Sequence, residues 1–149
     1  MVALFRVERR TPLSPDEAWR RLTAWEHHAA QVPLTRVTVT PAPPTGPGTL
    51  VVARTRVGRL GFDDPMEVVA WEPPAGGGPG HCRLEKRGRV VLGWAEIDVR
   101  PAPGGAVAVW TEDLRLRGLP GAFDGVVARA GRLVFGRALR GLLALPADR

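Results

Sequence analysis

Proline and glycine cut the middle of this chain into short runs. Pro41 to Gly48 reads PAPPTGPG, Pro73 to Gly80 reads PPAGGGPG, and Pro101 to Gly105 reads PAPGG. Proline lacks the backbone donor that helices and central strands use, and glycine weakens both, so these segments predict turns. They are too short and too evenly spaced to be domain linkers, and no internal repeat is visible.

The runs between the turns have the character of strands. Residues 34–40 (LTRVTVT) and 49–57 (TLVVARTRV) are rich in β-branched side chains. Residues 3–10, 66–72, 81–87, 90–99 and 106–116 continue the series. In 91–99 the alternation is clean: Val91, Gly93, Ala95, Ile97 and Val99 share one face, and Leu92, Trp94, Glu96 and Asp98 share the other. One apolar and one polar face predict an antiparallel sheet covered on one side. The segment Gly58 to Pro65 (GRLGFDDP) reads as a loop joining two strands, with Asp63-Asp64 as a turn before Pro65.

Helices are expected at two places. Ser14-Pro15-Asp16-Glu17 is a start signal: a capping serine, a proline at the first helical position and a glutamate that completes a capping box. A second short helix runs through Glu26 to Gln31 and stops before Pro33. From Gly121 to about Leu145 there is no proline, and Phe123, Val127, Ala130, Val134 and Ala138 form a stripe at helical spacing. A rod of about 25 residues spans roughly 37 Å, enough to cross the face of a seven-stranded sheet. The elements therefore run strand, two short helices, six strands, one long helix, and only the last helix is large enough to cover the sheet's apolar face.

Composition narrows the chemistry. A chain of 149 residues makes one domain; the reading is a single domain over 1–146 with a short tail at 147–149. Its one cysteine, Cys82, cannot form an internal disulfide. The N-terminal segment meets charge at Arg6 and Glu8, too early for a signal peptide, and no run is long enough for a membrane span. The expectation is a soluble, cytoplasmic protein. The formal net charge is +6, yet arginine is dispersed along the whole chain, densest in the last helix at Arg129, Arg132, Arg137 and Arg140. Dispersed charge without interleaved aromatics is not the footprint of a nucleic-acid binder, so no nucleic-acid partner is expected. That helix face could instead meet a protein partner.

Known catalytic patterns are missing. There is no HExxH, no CxxC and no phosphate-cradling glycine loop. Ser14, the only serine, is used as a cap, which leaves no nucleophile for a Ser-His-Asp site. His27 and His28 are neighbours on a helix and diverge, and His81 starts a strand beside Cys82 with the two facing opposite ways. No metal ligands, cofactor or catalytic residues are assigned.

Several stretches carry a family resemblance: Val7 followed by Ser14-Pro15-Asp16-Glu17-Ala18-Trp19, Trp25 with Val32-Pro33, Gly48-Thr49, Met66-Glu67-Val68-Val69-Ala70-Trp71-Glu72-Pro73-Pro74, Gly93-Trp94-Ala95-Glu96-Ile97, and Val109-Trp110-Thr111-Glu112. In this order they resemble the START-related, birch-pollen-allergen-like (SRPBCC) superfamily, whose bacterial members include polyketide cyclase/dehydrase-type and coenzyme-Q-binding-type proteins. The resemblance covers nearly the whole chain. It implies an α+β helix-grip fold: a curved seven-stranded antiparallel sheet wrapped around a long C-terminal helix, with two short helices after the first strand. It also implies a ligand cavity between sheet and helix. Members bind lipids, isoprenoids, hormones and polyketides, and a minority catalyse aromatisation or cyclisation. The superfamily has no universal catalytic motif, so no catalytic residue is carried over.

The residues themselves give reasons for a hollow. Ala53, Ala70, Gly93, Ala95, Ala130 and Gly131 are small residues on inferred inner faces. Either the backbones approach closely there, or a cavity remains. Lys86 is the only lysine among 21 basic residues, and it shares its strand face with Cys82 and Leu84. It is either an edge lysine reaching solvent or a buried ammonium that holds a ligand carboxylate or enolate. Glu112, two residues after Trp110, is either a partner for Lys86 or a surface carboxylate. Leu60 and Phe62 are apolar residues in the expected loop, which the resemblance makes a gate.

The candidate ligand-binding residues are thus Lys86, Glu112, Trp110 and Phe62, with Met66, Ala95, Phe123 and Val127 as apolar lining. The expected partner is a small apolar or amphipathic molecule. Three functions remain open: a carrier of that molecule, an aromatase/cyclase with Lys86 and Glu112 as acid–base groups, or a partner-binding module that uses the basic helix face.

Overall fold

The computed structural model describes residues 4–31, 34–40 and 44–144. The expected tail at 147–149, the expected helix end at Leu145, Val32-Pro33 and the start of the first Pro/Gly segment lie outside these residues.

The chain runs β1 (Leu4–Thr11), α1 (Pro15–Leu22), α2 (Trp25–Gln31), β2 (Thr35–Thr40), β3 (Leu50–Val57), β4 (Leu60–Glu72), β5 (Gly80–Lys86), β6 (Val91–Ala102), β7 (Gly105–Leu116), a short 3-10 turn (Gly121–Phe123) and α3 (Asp124–Leu143). All strands form one sheet in the order β1-β7-β6-β5-β4-β3-β2, with every neighbouring pair antiparallel. This is the helix-grip arrangement. β1 and β2 are its two edges, and α1 and α2 link them.

The local signals account for the helix start. Ser14 Oγ accepts from the Glu17 backbone N–H at 3.2 Å, and Pro15 opens α1. Such a cap stabilises by about 1 kcal/mol. Glu17 pairs with Arg20 and Arg21, which holds its carboxyl below the usual range. Arg21 also donates to the Leu143 carbonyl at 2.9 Å and so ties α1 to the last turn of α3.

Two expectations are corrected. Residues 60–65 are not a loop. The turn is confined to Gly58-Arg59, and β4 begins at Leu60, opposite Val57. The β-propensity of Gly61-Phe62-Asp63-Asp64-Pro65 is poor, but cross-strand pairing overrides it. Arg54 donates to both oxygens of Asp63, at 2.8 and 3.2 Å, on the outer face. Pro65 gives no donor, and its carbonyl accepts from Arg87 N–H at 2.7 Å. Asp63 and Asp64 therefore point to opposite faces of the sheet.

The buried stripe of α3 is also different. Its buried residues are Gly131, Gly136, Ala138, Leu139 and Leu142, whereas Phe123 and Ala130 are exposed. Gly131 sets this rotation. A Cβ there would meet Phe5 Cε1 at 2.5 Å, so the helix lies directly on β1. Phe5, Phe135 and Trp110 stack across this contact, with ring centroids 5.5 and 5.1 Å apart.

α3 packs chiefly on β1, β7, α1 and α2. Among the described residues its closest packing is on the β1–β7 side of the sheet, away from β3, β4 and β5. Gly93 has a separate explanation from the one its size suggests. Its φ is +122°, and a Cβ would overlap the Asp113 carbonyl, so backbone conformation demands glycine there. No helix among the described residues is long and apolar enough to cross a membrane.

Candidate functional site

The inner surface of the sheet, with α2 and α3, encloses a cavity of about 250 Å³. Val37, Val51 and Ala53 form one wall, Phe62, Met66 and Leu84 the next, and Val91, Ala95, Leu114 and Leu116 the far side. Trp25, Trp110 and Phe135 close the helix side. The lining is mostly apolar, as befits a small-molecule pocket.

Charged groups enter at one place. β4 delivers Asp64, β5 delivers Lys86 and β7 delivers Glu112, all to the inner face. Register explains the meeting. Lys86 lies opposite Met66, two residues from Asp64. Ala95 of β6 lies between Leu84 and Glu112, so no bulky side chain from β6 separates Lys86 from Glu112. Lys86 Nζ donates to Asp64 Oδ2 at 2.6 Å and lies 3.9 Å from Glu112 Oε2 and 3.5 Å from Met66 Sδ. Trp110 Nε1 donates to Glu112 Oε1 at 3.4 Å.

Burial is severe. Glu112 is 2% exposed and Lys86 8%. Burial pushes the Glu112 and Asp64 carboxyls above their usual range, and the Lys86 ammonium offsets only part of that. For Lys86, burial opposes the charge, but Glu112 and Asp64 outweigh it and raise its pKa. The ammonium thus keeps its charge, and the two carboxyls take up a proton more readily than exposed ones would. Asp64 Oδ1 and Glu112 Oε2 are buried without a hydrogen-bond partner among the described residues. A buried ionic set of this kind is a poor stabiliser compared with an apolar core, which makes it a functional-site candidate.

A second polar group faces the same space. His28 of α2 is buried, and its Nε2 lies 2.7 Å from the Leu22 carbonyl. A carbonyl only accepts, so Nε2 carries the proton and Nδ1 is an acceptor. Burial lowers the His28 pKa to about 4, so the ring is neutral. It sits between Trp25 and Trp110, with centroids 5.5 Å from each.

Among the residues singled out from the sequence, Lys86, Glu112, Trp110, Phe62, Met66 and Ala95 line this cavity together. Phe123 and Val127 are not in the lining; Phe123, at the start of α3, is 49% exposed. Two titratable lining residues escaped the sequence reading. Asp64 was hidden by the turn-like Asp-Asp-Pro, although Phe62, Asp64, Met66 and Val68 alternate correctly if the strand starts at Leu60. His28 follows Trp25 by one helical turn, a spacing that puts both on one face. His27 is exposed, and His81 pairs with Asp98 at 2.7 Å away from this space. No group of three or more His, Cys, Asp or Glu side chains among the described residues could hold a metal ion.

A family model described as "Polyketide cyclase / dehydrase and lipid transport" matches residues 3–145. The chain belongs to this family. Solved structures with the same fold include a START superfamily protein from Mycobacterium smegmatis (12% identity, TM-score 0.69, 94% of this chain and 96% of that one). An aromatase/cyclase from Streptomyces sp. R1128 aligns with 15% identity and TM-score 0.65, over 96% of this chain and 94% of that one. A norcoclaurine synthase from Thalictrum, in complex with a transition-state analogue, aligns with 12% identity and TM-score 0.63, over 96% of this chain and 94% of that one. At such identities the likeness is one of fold. No curated protein matches the chain by sequence. Membership of the polyketide cyclase/dehydrase and lipid transport family leaves ligand and chemistry to be argued from the cavity itself.

Proposed function

We propose that this protein binds a small, largely apolar molecule in the cavity, with the molecule's polar end at Lys86, Asp64 and Glu112. One observation carries the reading: a single buried ionic set at one place in a mostly apolar lining. Apolar walls supply affinity by burial, at about 25 cal/mol per Å² removed from water. The polar set supplies orientation. A carrier needs nothing more. Native mass spectrometry of protein purified from its own source tests this: a small-molecule mass present under native conditions and lost on denaturation is expected. Its absence at every preparation scale counts against the reading.

A second reading is favoured by the proton chemistry of the site. Two carboxylates with raised pKa, one ammonium and the neutral imidazole of His28 face one space. Such a set can move a proton on and off a bound polyketide-like chain, as an aromatase/cyclase requires. If so, the molecule recovered after incubation with the wild type is chemically changed, and Glu112→Gln and Asp64→Asn return it unchanged. A carrier returns it unchanged in all three proteins.

A further inference from the structure

We infer that the polar end of the guest is a hydrogen-bond donor, a hydroxyl or a protonated amine, and not an anion. The inference rests on the cavity being the binding site, and it adds the chemical class of the guest. Lys86 is the only cation among the described lining residues. It is already engaged: Asp64 Oδ2 is 2.6 Å from its nitrogen, Met66 Sδ 3.5 Å and Glu112 Oε2 3.9 Å. Two carboxylates already offset its charge, which leaves little net attraction for a carboxylate or phosphate.

The charge balance points the same way. One ammonium meets two carboxylates inside the lining. Behind them on β7 lies a third acid, Asp113, which is also buried and has Arg115 3.7 Å away. His28, the other titratable group facing the space, is neutral and adds no positive charge. An anionic guest would place one more negative charge in a largely buried site that already holds an excess of them.

The unmet hydrogen-bonding capacity completes the argument. Glu112 is 2% exposed, and among the described residues neither its Oε2 nor Asp64 Oδ1 has a hydrogen-bond partner. Leaving such oxygens unpaired in a buried site is costly. Both are acceptors when ionised, and both residues line the cavity. A guest hydroxyl or ammonium satisfies an unpartnered oxygen there, and the ammonium also balances the charge.

Calorimetric titration at pH 7 with four probes of one shape tests this: 2-naphthalenemethanol, 2-naphthylmethylammonium, 2-naphthoate and 2-methylnaphthalene. The alcohol and the ammonium are expected to bind at least tenfold more tightly than the naphthoate. Glu112→Gln is expected to remove most of the ammonium's advantage over 2-methylnaphthalene. Naphthoate binding as tightly as the alcohol, or equal affinities across the series, overturns the inference and leaves the cavity reading standing. An ammonium affinity unchanged by Glu112→Gln overturns it as well. Failure of all four probes, the hydrocarbon included, overturns the cavity reading and the inference with it.

Discussion

Lys86 Nζ lies 2.6 Å from Asp64 Oδ2, a contact between two side chains that reach the inner face of the sheet from neighbouring strands. Asp64 belongs to the stretch whose sequence looks least like a strand, and Lys86 is the chain's only lysine. Their meeting defines the polar end of the cavity, and it makes the fold's stability depend on the site's charge state.

Removing the ammonium exposes that dependence. Lys86→Met leaves Asp64 and Glu112 buried without a cation, and breaking a buried pair in this way costs about 3 kcal/mol or more at pH 7. The cost is expected to shrink at pH 5, because the two carboxyls, already raised by burial, take up protons instead. Urea unfolding of wild type and variant at the two pH values measures the difference. A penalty that is the same at both would contradict the ionic description.

His28 gives a pH dependence of its own. Its folded pKa is about 4 against 6.5 for the free group. The unfolded chain therefore binds a proton that the folded chain refuses between these values. Its contribution to stability is full above pH 6.5 and falls as pH drops toward 4, by on the order of 3 kcal/mol. Asp64 and Glu112 act with the opposite sign, since their raised folded pKa values favour folding in acid and lose that contribution as pH rises. Comparing wild type with His28→Gln isolates the histidine. The variant's stability relative to wild type is expected to improve steadily from pH 7 to pH 4.

The contact between Gly131 and Phe5 tolerates no added bulk. Gly131→Val forces side-chain atoms into a ring that is 1% exposed and is expected to cost about 2 kcal/mol. Gly125→Ala, where a Cβ meets nothing within 4 Å, is expected to stabilise α3 by up to about 1 kcal/mol. Chemical denaturation of the two variants beside the wild type measures both effects.

Cys82 is expected to be inert. It is fully buried, and burial pushes its thiol up to about 12. Only the thiolate reacts readily. A thiol-exchange reagent at pH 8 should therefore find no reactive group in the folded protein and one equivalent in denaturant.

The fold was largely legible because its signals are local. The capping box at Ser14, the Pro/Gly turns and the clean alternation of 91–99 each act within a few residues. The buried face of α3 was legible only in part: Ala138 and Gly131 read as inward, but Gly136, Leu139 and Leu142 did not. The roles of Gly131 and Gly136 are close approach, which depends on Phe5 and Arg9 far away in the chain. At the site, Lys86 stood out by being unique. Asp64 did not, since cross-strand pairing with β3 overrode the turn chemistry of its own neighbours. His28 was obscured by His27 beside it, and its place depends on how α2 packs against Trp110.

The central claim is that the space between the sheet and α3 holds a guest. The most direct measurement is the electron density of crystals grown from protein purified from its own source. The expected result is density for a compact molecule between Trp110 and Phe62, with one polar atom within about 3.2 Å of an Asp64 or Glu112 oxygen. Side chains filling that space, or a guest anchored away from these carboxylates, would contradict the account.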